Sequence, residues 1–241
     1  MKYSVIWMTY NQRYLFGVYA DSVKDYDVEI IISDDGSTDG SREEAKRRGW
    51  TVVGNKVNKG FDIITGANQA AQVAQGEYLI YFTGDTHPKH DYIAKTDPHV
   101  APDRLLNGMR LQIDKGTDKI LMNDWRYLKF KHVDWDKPIL DIAEVLPASP
   151  WEMMQSNGMM IPKKMYNDAH GMDLRYRYHV GACDTDLCAH CFHRGNKLMI
   201  VPEAICYHRF HRENFDDKYS TDLKNQRIKE FVKKYGKPET K

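Results

Sequence analysis

Two adjacent carboxylates, Asp34 and Asp35, follow an apolar run directly and lead into the turn-forming residues 36–39. This pattern predicts a strand that carries acids to the carboxyl edge of an open α/β sheet, where such sheets bind their ligands. A second apolar run ends in Thr9, Tyr10 and Asn11. Aspartate can accept a hydrogen bond from a base N–H or a ribose hydroxyl, and tyrosine can stack on a base, so the two strand ends suit a nucleotide. The alternative is a simple turn and helix cap, which favour the same residue types.

A second group that could do chemistry is a set of cysteines and histidines between positions 183 and 211. It comprises Cys183, Cys188, His190, Cys191, His193, Cys206, His208 and His211. The spacing Cys188-x-x-Cys191 is one that zinc ligands use. However, Cys188, Cys191 and Phe192 recur at i, i+3 and i+4 of a predicted helix, and buried free cysteine is common. A core face is the favoured interpretation, and a zinc module is the alternative.

Alternating strands and helices must position these residues in the first half. We predict strands at 3–8, 28–33, 50–53 and 78–82, and helices at 12–24, at 41–48 with a Ser41-x-x-Glu44 capping box, and ahead of Gly76. This βαβαβ order predicts a mostly parallel, doubly wound α/β sheet.

The second half is less regular. We predict strands at 120–123, 159–161, 198–201 and 204–207, a helix at 186–194, and a long irregular loop at 137–155. The predicted division is one domain over residues 1–212, with a nucleotide-binding half (1–90) and an acceptor half (91–212). A basic C-terminal helix or tail follows at 213–241.

Bulk composition excludes several classes of protein. The 241 residues carry a net charge of +1 with 29% charged side chains, so bulk charge alone would not hold the chain to nucleic acid or membrane. No apolar run approaches the roughly 18–20 residues of a membrane span, and no signal-peptide pattern begins the sequence. The four cysteines do not form a secreted disulfide framework, so we expect a cytoplasmic protein.

The order of motifs from Ser4 to about His208 resembles the inverting glycosyltransferases of family two, which have the Rossmann-like GT-A fold. The similarity lies in the Thr9-Tyr10-Asn11 segment, the Asp34–Asp39 signature, Asn58-Lys59-Gly60, Asn68, Gly76-Glu77-Tyr78, Met172-Asp173 and Cys183-Asp184-x-Asp186-Leu187. The resemblance implies that nucleotide-binding residues are Thr9, Tyr10, Asn11, Asp34, Asp35, Asn58, Gly60, Asn68 and Gly84.

The same resemblance implies a site for Mn²⁺ or Mg²⁺ that neutralises a diphosphate leaving group. Asp85 matches the second acid of the family's Asp-x-Asp motif, while Thr83 stands where the first acid is expected. His208 matches a further metal ligand in several relatives. A shifted motif, Asp85-x-His87, as in the polypeptide N-acetylgalactosaminyltransferases, is the alternative.

The resemblance also implies that Asp184 is the general base that deprotonates the acceptor. Helix capping is its structural alternative, and Cys183 stands in place of the family's usual glutamate. The implied acceptor side is formed by Trp151, Ser156, Asn157, Gly158 and Asp186.

The expected function is therefore inverting, metal-dependent sugar transfer from a UDP- or GDP-sugar to an acceptor hydroxyl on a glycan, lipid, protein or modified base. No Gln-x-x-Arg-Trp motif occurs, which favours a non-processive enzyme. A non-catalytic protein that binds nucleotide sugars or glycans, and a transferase acting on modified nucleic acid, are the alternatives.

Overall fold

The computed structural model describes residues 1–60, 62–114, 116–117, 119–122, 146–147, 155–176, 183–209 and 233. The strands are β1 (Tyr3–Thr9), β2 (Val28–Asp34), β3 (Thr51–Val53), β4 (Tyr78–Thr83), β5 (Thr86–Pro88), β6 (Arg104–Ile113), β7 (Ile120–Met122), β8 (Leu146–Pro147), β9 (Met159–Pro162) and β10 (Lys197–Arg209). The helices are α1 (Phe16–Val23), α2 (Ser41–Arg47), α3 (Ile63–Val73), α4 (Tyr92–Thr96), α5 (Lys163–Asp168) and α6 (Cys183–His193). Single 3-10 turns lie at Arg13–Leu15, Asp97–His99 and Leu174–Tyr176. Trp151 and the tail 213–241, except Lys233, lie outside the described residues.

The described strands form one mixed sheet in the order β3-β2-β1-β4-β9-β6-β10-β5, with β7 beside β6 and β8 beside β10. The β1–β2, β1–β4, β2–β3 and β6–β10 pairs are parallel, whereas β9 is antiparallel to both β4 and β6. The predicted parallel sheet is therefore confirmed for the first half. In the second half, antiparallel β9 joins two parallel groups of strands.

Two apolar cores lie on opposite faces of the sheet, because successive side chains of a strand point to opposite faces. In the fully buried strand β1, Ile6 and Met8 pack into the core beneath α3 and α6, while Val5 and Trp7 pack into the core beneath α1 and α4. A strand buried on both faces has a nearly continuous apolar sequence, which is why the sequence pattern identified β1.

The structure corrects several predicted elements. The strand β6 was not predicted, and the two strands predicted at 198–201 and 204–207 are one strand, β10, with a bulge between Ile200 and Ile205. Strand β8 lies inside the segment predicted as an irregular loop. The predicted capping box is absent, because α2 has Gly40 as its N-cap and the Ser41 hydroxyl donates to Asp39.

Among the described residues, no helix combines the length and the apolar character that a membrane crossing requires.

We expect Gly36→Ala to lower the free energy of unfolding by about 1–3 kcal/mol, the cost of forcing a side chain into a left-handed conformation. Gly36 has a φ of +77°, and a Cβ atom there would lie 2.2 Å from the backbone nitrogen of Asn58. The matched control is Gly17→Ala in α1, where an added Cβ meets nothing within 4 Å. Urea denaturation should show this control to be neutral or stabilising. Equal losses in both variants would contradict the prediction.

Candidate functional site

The register of the parallel strands places the predicted site residues Thr9 and Asp34, together with Thr83, side by side at the carboxyl edge of the sheet. Thr9 of β1 lies opposite Asp34 of β2, and Met8 of β1 lies opposite Thr83 of β4. The edge of the sheet therefore brings the first polar loop, the Asp34–Asp39 turn and the Thr83–Asp85 turn together.

Asp34 is almost fully buried, and one of its two carboxylate oxygens has many partners. Its Oδ1 accepts from Gly36 N (3.1 Å), Ser37 N (3.0 Å) and Arg42 Nη1 (3.0 Å). Among the described residues, Asp34 Oδ2 and the neighbouring Thr9 Oγ1 are buried without a hydrogen-bond partner. Buried polar atoms in folded proteins normally have partners, so these two oxygens suit the N–H or O–H groups of a ligand.

Asp35 connects the turn to the next loop. Its Oδ1 accepts from Asn55 Nδ2 (2.8 Å), and its Oδ2 accepts from the backbone nitrogen of Asp62 (3.0 Å). Asp62 in turn caps α3 by accepting from Thr65 N (3.2 Å). The exposed loop between them contains Asn58, whose side chain accepts from Gly60 N (2.7 Å). Asp35 thus positions the loop that carries Asn58 and Gly60.

In the first loop, Asn11 makes hydrogen bonds within the protein, whereas the Tyr10 ring is exposed. Asn11, with a positive φ of 52°, donates its N–H to Ser37 Oγ (2.8 Å) and accepts from Thr38 N (2.8 Å). Asn11 therefore fastens this loop to the Asp34–Asp39 turn. The Tyr10 side chain is 45% exposed, which leaves its ring accessible for stacking on a base.

Asn68 is occupied by contacts within the protein. Its Nδ2 donates to Met172 O (2.8 Å), and its Oδ1 accepts from Tyr166 OH (2.5 Å) and Met172 N (3.0 Å). The side chain joins α3 to the turn that contains Met172. We therefore omit Asn68 from the proposed nucleotide site.

Asp85 follows β4 and lies beside His208 near the end of β10. The distance between Asp85 Oδ2 and His208 Nε2 is 3.2 Å, and Asp85 Oδ1 accepts from Thr83 Oγ1 (2.5 Å). His208 pairs with Thr86, whereas His87 pairs with Tyr207. Since neighbouring residues of a strand face opposite sides, His208 and His87 lie on different faces, and His208 is the histidine that meets Asp85.

The turn between β4 and β5 is held from several sides. Tyr19 OH donates to Gly84 O, Trp7 Nε1 donates to Thr86 O (3.0 Å), and Arg209 N donates to Asp85 O (2.9 Å). Burial raises the pKa of Tyr19 well above its usual value, so its hydroxyl stays protonated and continues to donate. Asp85 therefore projects from a firmly held backbone.

Asp85 and His208 fit a divalent cation, since carboxylate and neutral imidazole are both common metal ligands. Within the described part of the chain, no group of three His, Cys, Asp or Glu side chains converges on one point. Oxygen atoms from a bound diphosphate would have to complete the coordination.

Asp184 lies in the first turn of α6, which begins three residues earlier than predicted. Its Oδ2 accepts from Ser156 N (3.1 Å) and Ser156 Oγ (3.3 Å), and its Oδ1 accepts from Thr185 N (2.9 Å). Desolvation raises the pKa of Asp184, and the hydrogen bonds from Ser156 partly oppose this. A carboxylate with a raised pKa is a better proton acceptor.

The remaining acceptor-side residues are mostly buried. Ser156 and Asn157 are 6% and 7% exposed, and Gly158 has a φ of +83°. Asp186 is buried and accepts from Tyr176 OH (3.2 Å). Ser156 directly contacts Asp184.

The cysteines that suggested a zinc module belong to the apolar cores. Cys183, Cys188 and Cys191 pack into the core beneath α6, and Cys206 packs into the other core. All four cysteines are buried. The core-face interpretation of the Cys188-x-x-Cys191 spacing is thus the one the packing supports.

A family model described as Glycosyl transferase family 2 matches residues 4–140, which is more than half of the chain. The chain belongs to glycosyltransferase family 2. A comparison with curated protein sequences finds no match.

Solved structures of low sequence identity share the fold. GalNAc-T7 with UDP, GalNAc and Mn²⁺ has a TM-score of 0.70 at 18% identity, over 88% of this chain and 44% of that one. The mannosyltransferase PcManGT from Pyrobaculum calidifontis with GDP-Man and Mn²⁺ has a TM-score of 0.66 at 18% identity, over 96% of this chain and 64% of that one. TarS 1-349 from S. aureus with UDP-GlcNAc has a TM-score of 0.65 at 14% identity, over 96% of this chain and 67% of that one. The expected GT-A fold is confirmed, and this family 2 chain spans about half to two thirds of these relatives.

Two positioning residues at the sheet edge were missed by sequence reasoning. Arg42 pairs with buried Asp34 and also donates to Asn55 O (3.2 Å). A signal existed, because a cation in the first turn of a helix opposes the helix dipole and needs another reason to be there. Gln12 lies against the Gly84-Asp85 peptide and, in the amide orientation that satisfies both ends, donates to Gly84 O (3.2 Å) and accepts from Asp85 N (3.3 Å). No pattern in the sequence marks Gln12.

We expect Arg42→Met to lower the free energy of unfolding by about 3 kcal/mol, because it leaves the buried Asp34 carboxylate without its counter-charge. Arg42 is partly exposed, so the loss should be at the lower end of what breaking a buried ion pair costs. Arg48→Met, which removes a surface partner of Glu44, is the matched control and should change stability much less. Urea denaturation measures the free energy of unfolding of both variants, and similar losses of stability would contradict the prediction.

Proposed function

We propose that this family 2 chain transfers a sugar from a UDP- or GDP-sugar to an acceptor hydroxyl, with inversion at the anomeric carbon and without processivity. One observation carries the proposal. The Asp85–His208 pair lies at the same sheet edge as the two buried, unpartnered oxygens of Thr9 and Asp34. A nucleoside diphosphate suits such an edge, because its base and ribose carry hydrogen-bond donors and its phosphates can share a cation with the protein.

The nucleotide end of the donor is assigned to the first loop and the Asp34–Asp39 turn. Asp34 Oδ2 accepts an N–H from the base or an O–H from the ribose, and Tyr10 stacks on the base. Uracil and guanine both present a ring N–H, so either nucleoside suits an aspartate acceptor. The relatives with UDP, UDP-GlcNAc and GDP-Man support this choice of donors by analogy.

The diphosphate end is assigned to Asp85 and His208. Mn²⁺ or Mg²⁺ bound there would supply positive charge to the departing diphosphate. Asp85 would hold the cation through Oδ2, because this oxygen is the one beside His208, while Oδ1 accepts from Thr83. The bound Mn²⁺ of GalNAc-T7 and PcManGT supports a metal by analogy.

Asp184 is assigned as the general base. It accepts the proton of the acceptor hydroxyl while that oxygen attacks the anomeric carbon on the side opposite the diphosphate, which inverts the configuration. Ser156 fixes the orientation of the carboxylate through two donors to Oδ2. The identity of the acceptor stays open among glycan, lipid, protein and modified base. A cytoplasmic location is retained as a proposal, because the crowding of all four cysteines between positions 183 and 206 is unlike a secreted disulfide framework.

We expect Asp85→Ala to abolish the strengthening of nucleoside diphosphate binding by Mn²⁺, while binding without metal is unchanged. A site with one carboxylate needs phosphate oxygens, so cation and nucleotide should bind cooperatively. Isothermal calorimetry with UDP and with GDP, each with and without Mn²⁺, measures this coupling. Asp114→Ala, in an exposed turn, is the control and should bind like wild type. Tight Mn²⁺ binding without nucleotide would contradict the prediction.

We expect Asp184→Asn to lower sugar transfer by about 10²–10⁴-fold, because an amide cannot accept the proton. Donor binding should be unchanged. The raised folded-state pKa means that ionised Asp184 costs stability above that pKa, and its removal offsets the acceptor that the amide NH2 no longer offers to Ser156 or Thr185, so the melting temperature at pH 7 should change little.

The pH dependence of transfer gives a second check on the base. Asp184 acts when deprotonated, so activity should fall as pH drops through its pKa, at a higher pH than for an ordinary aspartate. Near-normal transfer by Asp184→Asn with wild-type melting would show that another group is the base. Asp186 would then be examined next.

A further inference from the structure

The segment Gln155–Gly158 is fastened to the sheet through its backbone. Asn107 of β6, which is fully buried, donates from Nδ2 to Gln155 O (3.1 Å) and to Asn157 O (3.2 Å). Gly158 N donates to Tyr81 O (2.8 Å), and Gly158 O accepts from Tyr92 OH. These contacts come from β6, β4 and α4, so the segment has little freedom to shift relative to the sheet edge.

The two central side chains of this segment connect to the two carboxylates of the proposed site, Ser156 by direct contact with Asp184 and Asn157 through Thr83 and Thr86, which lie beside Asp85. Ser156 donates to Asp184, as described above. Asn157 Oδ1 lies 3.2 Å from Thr83 N, 2.5 Å from Thr83 Oγ1 and 3.0 Å from Thr86 Oγ1. Thr83 in turn contacts Asp85, so adjacent residues connect to opposite ends of the reaction centre.

Counting protons shows which contact orients Asp85. A hydroxyl carries one proton, and Thr83 Oγ1 is 2.5 Å from both Asp85 Oδ1 and Asn157 Oδ1. Asn157 Oδ1 has another donor in Thr83 N–H. The Thr86 hydroxyl lies 3.0 Å from Asn157 Oδ1, 3.0 Å from Thr83 Oγ1 and 3.4 Å from Asp85 Oδ1. The charged carboxylate is the stronger acceptor, so the Thr83 hydroxyl proton goes to Asp85. Asn157 Oδ1 then holds Thr83 through the backbone N–H of Thr83 (3.2 Å). With Asp85 Oδ1 fixed in this way, Asp85 Oδ2 faces His208.

We propose that Asn157 is a positioning residue for Asp85, acting through Thr83 and Thr86 rather than by contact with an acceptor. Together with Ser156, it sets the separation of the carboxylate that holds the cation and the carboxylate that takes the proton. The inference rests on the proposed function, because it assigns the metal to Asp85 and the base role to Asp184. It also gives Thr83, which stands where an acid is expected, a function of its own.

The test is a double-mutant cycle on Mn²⁺ affinity, measured by calorimetry in the presence of UDP or GDP, whichever binds more tightly. Asn157→Ala and Thr83→Val should each weaken Mn²⁺ binding about tenfold, as is common for residues that orient a metal ligand. The double variant should bind Mn²⁺ no more weakly than the single variant with the lower Mn²⁺ affinity, because both changes break the same chain of contacts. Nucleotide binding without Mn²⁺ should be unchanged in all three.

Two controls separate positioning from general damage. Thr96→Val removes the hydroxyl of a buried threonine far from this network, which donates within α4, and should leave Mn²⁺ affinity unchanged. Ser156→Ala should move the acid limb of the transfer profile to higher pH, since a hydrogen bond that lowers the Asp184 pKa is lost, with Mn²⁺ affinity unchanged.

Several outcomes would overturn the inference. Unchanged Mn²⁺ affinity in Asn157→Ala with a raised KM for the acceptor would make Asn157 an acceptor contact. Additive losses in the double variant would show that Asn157 does not act through Thr83. If Asn157→Ala does not fold, Thr83→Val and Thr86→Val test the same network, and wild-type Mn²⁺ affinity in both would refute it. A wild-type protein whose nucleotide binding ignores Mn²⁺ would instead overturn the proposed metal site, and the inference with it.

Discussion

The in-register parallel pairing of β1 with β2 and β4 is the constraint on which the site depends. Every residue of β1 is buried, with one apolar core on each side, and this burial fixes the register. A slip by one residue would exchange the two faces and place Trp7 in the wrong core. Because the register is fixed, Thr9 ends level with Asp34, and Thr83 begins its turn beside them. The polar edge is therefore a consequence of apolar packing.

The turns at this edge are rigid for a different reason. Their backbone groups emerge from the core, where an unpaired polar group costs about 1–3 kcal/mol, so side chains of the core must supply partners. Tyr19 and Trp7 do this for the turn between β4 and β5 while they stack on each other, with ring centroids 4.5 Å apart. The same aromatic pair thus fills the core and holds the peptide that presents Asp85. Groups held in this way lose little freedom on binding a ligand, which favours catalysis.

Sequence reasoning succeeded where a structural feature is local in the chain. Strands β1, β2 and β4 are apolar runs, so their bounds were predicted to within a residue or two. Strand β6 was missed because Asn107, Gly108 and Arg110 interrupt its apolar pattern. Strand β10 was divided because Pro202 and Glu203 look like a turn, whereas the chain absorbs them in a bulge.

The same contrast between local and long-range features applies to the candidate site. Asp34, Asp85 and Asp184 were predicted as site residues from the order of motifs, and the structure places Asp34 and Asp85 at one sheet edge and Ser156 against Asp184. Residues that act on them were not found. The contacts of Gln12 and Asn107 join segments far apart in sequence, so no spacing within the chain reveals them.

Because Thr83 stands where the family motif has an acid, the proposed metal site has less negative charge for binding a cation. One carboxylate and one imidazole attract a divalent cation less strongly than two carboxylates do, because less negative charge offsets the cost of removing its water. The missing charge must come from the donor diphosphate, and by linkage the donor then gains as much affinity from the cation as the cation gains from the donor. Such a centre assembles only when both are present. After transfer, the released diphosphate carries more negative charge than it did within the donor, so it holds the cation more strongly. If Asp85 and His208 hold a cation as proposed, this one carboxylate would retain the nucleoside diphosphate and its cation less strongly than two carboxylates would, which would favour their release together.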